Sequence, residues 1–321
     1  MISRKSESFS RRELLKKLAL AGALPLFPAA LLAAEDEPKV AQPRSRSTHR
    51  ILTCNILFDL PEQHGTQADW GLHRRAACMH IIQSRQPDIV CLQEVGRGQN
   101  EDFINAFPGF AAFGYEDPYV DTLPKRFQNI KNVILYSRDR YEQTGAGQYW
   151  LSDRPLIAGS RMPGTALPRH VTWLRLRERA TGSEFRVATT HLALEHPIRV
   201  EEAGMLADEA AQYGRCFPQI LAGDMNAART SAEIKVLNDA AWTDTFEAVH
   251  GAQEAGSTGH GFREPAPLAG PAAPGHSGKI DYILFRGDVL PVAAEIIRDK
   301  VEGFFPSDHY FVSADIELPV I

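Results

Sequence analysis

The chain has 321 residues, of which 44% are hydrophobic and 23% are charged. This composition is ordinary for a globular protein of one large or two smaller domains, and the absence of an internal repeat argues against a solenoid or a coiled coil. The formal net charge of −5 disfavours a protein that grips long nucleic acid through Lys and Arg, although a local basic groove stays open.

Residues 1–34 have the features of an export signal. The paired Arg11 and Arg12 precede an apolar stretch that runs from Leu18 to about Leu32 and ends in small residues. A basic start, a short apolar core and small residues at its end define a signal peptide, and paired arginines indicate the twin-arginine route. We therefore expect a bacterial protein that is periplasmic or secreted after cleavage.

An uncleaved membrane anchor is the alternative for this segment. The apolar run of about 15 residues is short for a spanning helix and contains Pro25 and Pro28, so we favour cleavage and expect no stable membrane span. Residues 35–49 are interpreted as a polar tether and residues 50–321 as the folded domain. Loss of residues 1–34 removes six Lys/Arg and two Glu, which changes the net charge from −5 to −9.

Hydrophobic patterning predicts an alternation of strands and helices from residue 50 onward. Strand-like segments cover residues 51–58, 88–95, 133–136, a run ending at 176, 185–191, 220–224, 280–284 and 311–316. Helical spacing covers residues 72–86, 197–213 and 233–238. Residues 97–131 lack a regular pattern. Residues 251–278, rich in Gly, Ala and Pro, predict a long loop that is either functional or disordered.

The four cysteines are Cys54, Cys78, Cys91 and Cys216. Export would permit disulfides, but the first three lie in apolar strand or helix patterns, where free thiols behave as small hydrophobic groups. We therefore expect no disulfide. Because no Cys-x-x-Cys motif occurs, we also expect no structural zinc site.

Polar residues able to bind a metal or a phosphate lie at the ends of several apolar segments. They are Asn55, Glu94, His191, Asp224, Asn226, Asp281, Asp308 and His309. Side chains at strand ends from distant parts of a chain can converge on one site of a rigid scaffold. In Gly223–Asn226, period-two geometry would point Asp224 and Asn226 to the same side, where they could hold a water beside a charged ester.

Each of these residues also has an ordinary structural interpretation. Gly223–Asn226 could be an Asx turn that closes a strand, Asn55 a strand-end cap, and His191 a hydrogen-bonded core residue. For Glu94 we favour a metal over a salt bridge, because an acid at the end of an apolar strand is costly unless it is paired or metal-bound. Mg²⁺, or Mn²⁺, suits this sparse acidic set, since Mg²⁺ prefers one or two carboxylates together with water and phosphate oxygens.

Six motifs occur in order between about residue 50 and the C-terminus. They are Asn55, Gln93-Glu94, Thr190-His191-Leu192, Gly223-Asp224-Met225-Asn226, Ile280-Asp281-Tyr282 and Ser307-Asp308-His309. Together they resemble the motifs of the endonuclease/exonuclease/phosphatase superfamily. The resemblance implies an α/β (α+β) fold, a four-layer αββα sandwich in which two mixed β-sheets pack face to face with helices outside. The alternation of strands and helices agrees with such a layered domain but would not by itself have selected it.

The resemblance also implies a metal site on Glu94, with Asn55 and Asp308 sharing the ion. The ion would polarise a phosphate oxygen and offset developing negative charge. Abasic-site endonucleases of the superfamily carry a metal-binding Asp two residues after this Asn, whereas Leu57 occupies that position in this chain. The departure argues against nuclease-type binding of a second metal.

The remaining motif residues imply in-line hydrolysis of a phosphoester. Asp224, oriented by Asn226, would place and deprotonate the attacking water. His191 and His309 would donate hydrogen bonds to the non-bridging phosphate oxygens, and Asp281 would fix the tautomer and orientation of His309. No phosphoenzyme intermediate is needed.

Asn55, Arg169 and His260 are candidates for contacts with the substrate. Arg169 opens a strand similar to an Arg- and Trp-containing strand of phosphatase-like members and could clamp a phosphate with two hydrogen bonds, although a surface salt bridge fits equally well. His260 lies in Thr258–Phe262, which loosely resembles a substrate-side loop of those members, with a mobile surface loop as the alternative. Asn132 could touch the site or form a turn.

Three functional hypotheses follow. The first is an exported, metal-dependent phosphodiesterase or phosphatase that acts on a small molecule or a phospholipid headgroup, in keeping with the mature charge of −9. The second is a secreted endonuclease or exonuclease, which would need a basic stripe beside the site. The third is a non-catalytic binding protein on the same fold, which predicts gaps among the catalytic positions, and the sequence has none.

Overall fold

The computed structural model describes residues 45–115, 130–251, 255–264 and 278–321. Within these residues the chain forms twelve strands, which in chain order are β1 (Arg46–Asn55), β2 (Ile89–Val95), β3 (Phe110–Phe113), β4 (Lys131–Ser137), β5 (Tyr141–Trp150), β6 (His170–Glu178), β7 (Glu184–His191), β8 (Gln219–Asp224), β9 (Thr243–Asp244), β10 (Asp281–Arg286), β11 (Leu290–Ile297) and β12 (Phe311–Pro319). The same residues form five α-helices, which are α1 (Arg75–Arg85), α2 (Arg97–Ala106), α3 (His196–Ala210), α4 (Ala232–Asp239) and α5 (Thr245–His250).

The strands form two six-stranded sheets. The first has the order β11-β12-β1-β2-β4-β3, and the second has the order β5-β6-β7-β8-β10-β9. Both are mixed, because β1 pairs with β2 and β7 pairs with β8 in parallel, whereas the other pairings are antiparallel. Each sheet therefore contains one parallel pair near its centre.

Three buried clusters separate the layers. The central cluster lies between the sheets and includes Ile51, Ile134, Val187 and Ile220. A second cluster packs α1 against the outer face of the first sheet, and a third packs α3 and α4 against the outer face of the second. Strands whose two faces are both buried account for the long apolar runs in the sequence. The predicted four-layer sandwich is confirmed.

Helix boundaries follow local signals. The chain enters α1 through a single π-helical turn at Trp70–Arg74, where the Asp69 side chain accepts a hydrogen bond from the amide of Leu72 at 3.0 Å. The helix ends at a left-handed Gln86, immediately before a proline, as the sequence predicted. Ser231 caps α4, its hydroxyl accepting from the amide of Ile234 at 3.4 Å.

Several segments differ from the prediction, and β5, β9, β11 and α5 were not predicted at all. β1 begins at Arg46, so residues 46–49, which were assigned to the tether, form hydrogen-bonded pairs with β12. The alternation of polar residues in this part of β1 gave no apolar run that would indicate a strand. Residues 97–131 are not wholly irregular, since they contain α2, β3 and the start of β4. The buried face of helix α2 consists of Gln99, Asn100 and Phe103. Because two of these three residues are polar, the sequence shows no helical spacing of apolar residues there. Residues 1–44, 116–129, 252–254 and 265–277 lie outside the described residues, and with them the predicted signal peptide.

All four cysteines are free thiols, and Cys216 is exposed whereas the other three are buried. Burial raises the pKa of the Cys54, Cys78 and Cys91 thiols, so they behave as apolar core groups. In the described parts of the chain, no helix has the length and apolar character needed to cross a bilayer.

Candidate active site

The two parallel strand pairs end at one edge of the sandwich. In the first sheet, Asn55 at the end of β1 lies opposite Gln93 of β2. In the second sheet, His191 at the end of β7 lies opposite Asp224 of β8, and antiparallel β10 places Asp281 opposite Asp224 on its other side. The edge is therefore built from residues that are far apart in the sequence.

A sharp turn after β8 sets the direction of Asp224. Gly223 has φ +147°, and a Cβ at this position would lie 1.9 Å from the carbonyl oxygen of Thr190, so only glycine fits. Asn226 has φ +48° and does not continue the strand. Its amide donates to Asp224 Oδ1 at 2.8 Å, while its side chain donates to the carbonyl of Leu192 at 2.9 Å. Asn226 thus orients Asp224 through its backbone amide, while its side chain is bound to the residue that follows His191.

Asn55 joins the two sheets at the site. Its Nδ2 lies 3.1 Å from Oε1 of Glu94 and 3.1 Å from Oδ2 of Asp224, and it donates to both carboxylates. Its Oδ1 accepts from the amide of Leu57 at 3.1 Å, and Oε2 of Glu94 accepts from the amide of Phe58 at 3.1 Å. These are the contacts of an orienting residue, and direct binding of a metal or of substrate by Asn55 stays a prediction.

Two histidines flank Asp224. Nε2 of His191 lies 3.4 Å from Asp224 Oδ2, and its Nδ1 lies 3.7 Å from Oε1 of Glu94. Nε2 of His309 lies 3.9 Å from the same Asp224 oxygen, while its Nδ1 lies 2.9 Å from Oδ2 of Asp281. The arrangement places one carboxylate between two imidazoles, one of which is held by a second carboxylate.

The electrostatic environment gives these groups different protonation states. Burial, together with the charge of Asp281, raises the pKa of Asp224 to about 7. Burial and the positive charge of Arg169 lower the pKa of His191 well below its usual value. Burial also acts to lower the pKa of His309, but Asp281 and Asp224 outweigh it and raise that pKa well above its usual value. These shifts favour a neutral His191 and a cationic His309 at neutral pH.

Arg169 faces the same edge. It is half-buried, and its Nε has no hydrogen-bond partner within the described residues. Burial lowers the pKa of its guanidinium, while the charges of Glu202, Glu94 and Asp224 act in the opposite direction. The predicted alternative, a surface salt bridge, is not formed by any carboxylate in the described part of the chain. Arg169 is thus a cation with a free donor beside the carboxylates.

The structure gives His260 and Asn132 supporting positions. The His260 ring is buried against Tyr310 and Phe305 at centroid distances of 4.2 and 4.4 Å, and its amide donates to the carbonyl of Asp308 at 2.8 Å. It thus anchors its loop to the segment that carries the last two motif residues. Asn132 lies within β4 and donates from Nδ2 to the carbonyl of His170 at 2.9 Å, so it does not form a turn.

A comparison with family models identifies the family to which this fold belongs. Residues 52–309 match the model of the Endonuclease/Exonuclease/phosphatase family. The chain belongs to this family. Its members are hydrolases that act on phosphoester bonds, and they are typically dependent on a divalent metal.

Among curated relatives, Nocturnin from Drosophila melanogaster is 25% identical over 84% of this chain and 46% of its own length. The Ccr4 3'-5'-exoribonuclease subunit of the CCR4-Not complex from Mycosarcoma maydis is 24% identical over 88% of this chain and 52% of its own length. The chain thus spans about half the length of these relatives.

Solved structures show the same fold. A family member from Bacteroides vulgatus aligns with a TM-score of 0.73 at 23% identity, covering 85% of this chain and 99% of its own. A mannosyl-6-phosphatase from Bacteroides thetaiotaomicron aligns with a TM-score of 0.70 at 20% identity, covering 84% and 99%. At these identities the likeness concerns the fold alone.

The donor set of this family member fits a divalent cation. Glu94 is partly exposed, with a side-chain exposure of 23%, and no Lys or Arg of the described residues lies within 4 Å of it to form a salt bridge. At the same edge, the Asp308 carboxylate accepts a hydrogen bond from the Ser307 hydroxyl at 3.2 Å and from no other group of the described residues. Ligand atoms of Asp224, Asp281 and His309 also lie within 4.8 Å of one another. In that trio, however, His309 already donates to Asp281, so Glu94 is the better first ligand.

Several supporting residues carry little signal in the sequence. Gln93 is buried and donates from Nε2 to Thr53 in one sheet at 3.1 Å and to Thr189 in the other at 2.8 Å. The Thr258 hydroxyl accepts from the amide of Asp281 at 3.1 Å and so fixes the start of β10. Gln93 directly precedes the motif residue Glu94, but a single sequence does not show that the Gln93 side chain would reach Thr189 in the other sheet.

Proposed function

We propose that this protein is an exported, divalent-metal-dependent phosphoesterase that hydrolyses a small-molecule or lipid-headgroup phosphoester by in-line attack of water. The observation that carries the proposal is the position of Asp224 between two imidazoles, 3.4 Å from His191 and 3.9 Å from His309. Such a carboxylate can hold a water while the imidazoles donate to the oxygens of a phosphate.

Each residue takes a role that its environment supports. Asp224, whose pKa is raised to about 7, accepts the proton of the attacking water. Neutral His191 donates one hydrogen bond to a non-bridging oxygen of the phosphate. Cationic His309 donates another and offsets the negative charge that develops there, and Asp281 keeps it protonated and oriented.

The metal side of the proposal rests on Glu94 and Asp308, with Asn55 orienting Glu94. A bound Mg²⁺ or Mn²⁺ would supply Lewis-acid polarisation of a phosphate oxygen. Hard oxygen ligands are the donors that these ions prefer, which favours them over zinc. Arg169, with its free Nε, supplies a further contact for the phosphate group of the substrate.

The charge of the chain supports a small substrate. The net charge of −5, or −9 without residues 1–34, gives no general attraction for a polyanion. A neighbour of the same fold is a mannosyl-6-phosphatase, which makes sugar phosphates the first class to test. The nuclease alternative is supported by the relative described as an exoribonuclease and by a structural neighbour solved with single-stranded DNA.

The assay that tests the proposal uses the purified protein with Mg²⁺, Mn²⁺ or EDTA. The substrates are p-nitrophenyl phosphate, bis-(p-nitrophenyl) phosphate, mannose 6-phosphate and supercoiled plasmid DNA. We expect metal-dependent turnover of the small esters without nicking. Nicking faster than ester turnover would establish the nuclease instead, and metal-independent or absent turnover of all four substrates would contradict the proposal.

Export is part of the proposal and is tested separately. The paired arginines, the apolar run and the acidic residues that follow support a cleaved twin-arginine signal. We expect the full chain, expressed in a bacterium, to reach the periplasm in a shortened form. The double variant Arg11→Lys, Arg12→Lys should remain in the cytoplasm at full length. A cytoplasmic wild-type chain would overturn this part alone.

A further inference from the structure

Arg74 is a buried cation that lies behind the metal side of the candidate active site. It is completely buried, and it precedes α1. Its Nη1 donates to the carbonyls of Ile56 and Leu57 at 2.6 and 3.0 Å, and its Nε donates to the carbonyl of Ala68 at 2.6 Å. One side chain thus holds both ends of the loop that follows β1.

No carboxylate neutralises this guanidinium directly. Within the described residues, none lies within the 4 Å of a salt bridge, and the acids whose charges act on Arg74 are Asp308, Asp59 and Glu94. A buried cation with no paired anion is costly, and carbonyl oxygens offset only part of that cost. Its charge therefore acts on the same carboxylates that the proposed function assigns to the metal.

The carbonyls that Arg74 holds fix the backbone of the loop. Leu57 has φ +54°, which is unusual for a leucine. With the carbonyls of Ile56 and Leu57 turned to Arg74, the amide of Leu57 donates to Asn55 Oδ1 and the amide of Phe58 donates to Glu94 Oε2, both at 3.1 Å. The strained turn thus supplies the hydrogen bonds that orient Asn55 and Glu94.

We propose that Arg74 is a positioning residue for divalent-metal binding, which acts through the backbone of residues 56–58 on Glu94 and Asn55. The inference rests on the proposed function in one respect, namely that Glu94 binds the metal. Residues that orient metal ligands commonly change affinity by about 10–100-fold when they are removed. Arg74 would exert this effect through main-chain amides, without touching the ion.

Arg186 provides a matched control. It is also almost completely buried, but it pairs with Glu209 at 2.9 Å and stacks between Trp173 and Tyr213 near the start of β7, away from the catalytic end of that strand. Loss of either arginine should lower the melting temperature through lost packing and hydrogen bonds. Only loss of Arg74 should change the metal site.

The test is a Mn²⁺ titration of the full chain, followed by electron paramagnetic resonance of free Mn²⁺, with thermal melting measured in parallel. We expect Arg74→Met to weaken Mn²⁺ binding by about tenfold or more, Arg74→Lys to weaken it less, and Arg186→Met to leave it unchanged at a similar loss of melting temperature. Hydrogen exchange in residues 56–60 of the metal-free protein should rise in Arg74→Met only.

A rescue variant separates the backbone route from simple destabilisation. Glycine adopts positive φ freely, so Leu57→Gly introduced into Arg74→Met or Arg74→Lys should recover part of the lost Mn²⁺ affinity. Unchanged Mn²⁺ affinity in both Arg74 variants would overturn the inference, and so would a failure of Leu57→Gly to recover any affinity. Wild-type binding that is indifferent to Glu94→Ala would instead refute the proposed metal site itself.

Discussion

Nδ1 of His309 lies 2.9 Å from Oδ2 of Asp281, and both side chains are largely buried. Asp281 is the first residue of β10, and His309 lies two residues before β12 of the other sheet. The distance is that of a charge-assisted hydrogen bond, which fixes the ring orientation and directs Nε2 toward the site. The pair therefore defines the cationic half of the proposed catalytic machinery.

Replacing Asp281 by Asn should change the pH profile as well as the rate. The charge of Asp281 raises the pKa of His309, so its loss lowers that pKa, and the protonated form disappears at lower pH. We expect kcat to fall by about 10²–10⁴-fold and the alkaline limb of the pH–rate profile to move to lower pH. An unchanged alkaline limb would show that His309 does not act as a cation.

Replacing Glu94 should remove metal-dependent activity without unfolding the protein. Glu94 is partly exposed, and its carboxylate accepts hydrogen bonds from Asn55 and from the amide of Phe58, so its loss leaves the core intact. We expect Glu94→Ala and Glu94→Gln to lower turnover by about 10²–10⁴-fold and to weaken Mn²⁺ binding in a calorimetric titration. Near-wild-type turnover in folded Glu94→Ala would refute its assignment.

Gly223 should tolerate no side chain. In Gly223→Ala the new Cβ would collide with the Thr190 carbonyl at 1.9 Å, which must displace the turn that carries Asp224. We expect a loss of about 3 kcal/mol or more in unfolding free energy by urea denaturation, together with lost activity. The control is Gly182→Ala, where φ is +74° but nothing lies within 4 Å, so only the conformational cost of about 1–2 kcal/mol applies.

Arg169 should contribute mainly to substrate binding. Its free Nε can donate a hydrogen bond to a phosphate oxygen. Because Arg169 forms no salt bridge with a carboxylate of the described residues, replacing it leaves no such carboxylate without its partner. We expect Arg169→Gln to raise KM for a phosphate ester by about tenfold or more, with a smaller change in kcat. Arg154→Gln on the same connection, whose side chain is 67% exposed, serves as the control and should behave as wild type.

Acid should destabilise the protein through His170. Burial lowers the pKa of His170 to about 3 from a usual 6.5, and its Nε2 accepts from the amide of Asn132 at 3.2 Å, which requires the neutral ring. Since the unfolded chain binds the proton more readily, the stabilising contribution is complete above pH 6.5 and declines as the pH falls toward 3. By pH 5 the loss from this group is about 2 kcal/mol.

The comparison is between wild type and His170→Gln, with unfolding free energies measured by urea at pH 7 and pH 5. Glutamine can still accept from the Asn132 amide and does not titrate, so the difference between the two pH values should be smaller in the variant. His49 and His260, whose pKa values are each lowered to about 4, contribute equally to both proteins. Equal pH dependence in both proteins would contradict the assignment.

Individual strands and helices could be predicted because their signals are local, whereas the sandwich itself was implied by the resemblance of the ordered motifs to the family. Apolar runs marked β2, β7 and β8, Pro87 marked the end of α1, and Ser231 marked the start of α4. The order of the motifs then identified the edge at which the runs converge. The elements that were not predicted include β3, β5, β9, β11 and α5. The part of β1 before residue 50 and helix α2 were also missed, because their polar residues follow no apolar period.

The finer geometry of the site could not be derived in the same way. At Asn226 a positive φ ends the extended geometry on which period-two reasoning depends, and no local pattern encodes its hydrogen bonds to Asp224 and Leu192. Asn55 was recognised, but its hydrogen bond to Asp224 crosses between sheets, and no local pattern encodes that pairing. The aromatic burial of His260 depends on Phe305 and Tyr310, which are far from it in the chain.

The buried Gln93 side chain, which hydrogen-bonds Thr53 in one sheet and Thr189 in the other, has a mechanical consequence. Glu94 and Asp224 belong to different sheets, so their separation is only as constant as the seam between those sheets. Hydrogen bonds between the two sheets, directly beneath the reacting groups, resist sliding of one sheet over the other, which a purely apolar contact would permit. Adaptation to new substrates is therefore expected to occur in the surrounding loops, while the spacing of the two strand ends stays fixed.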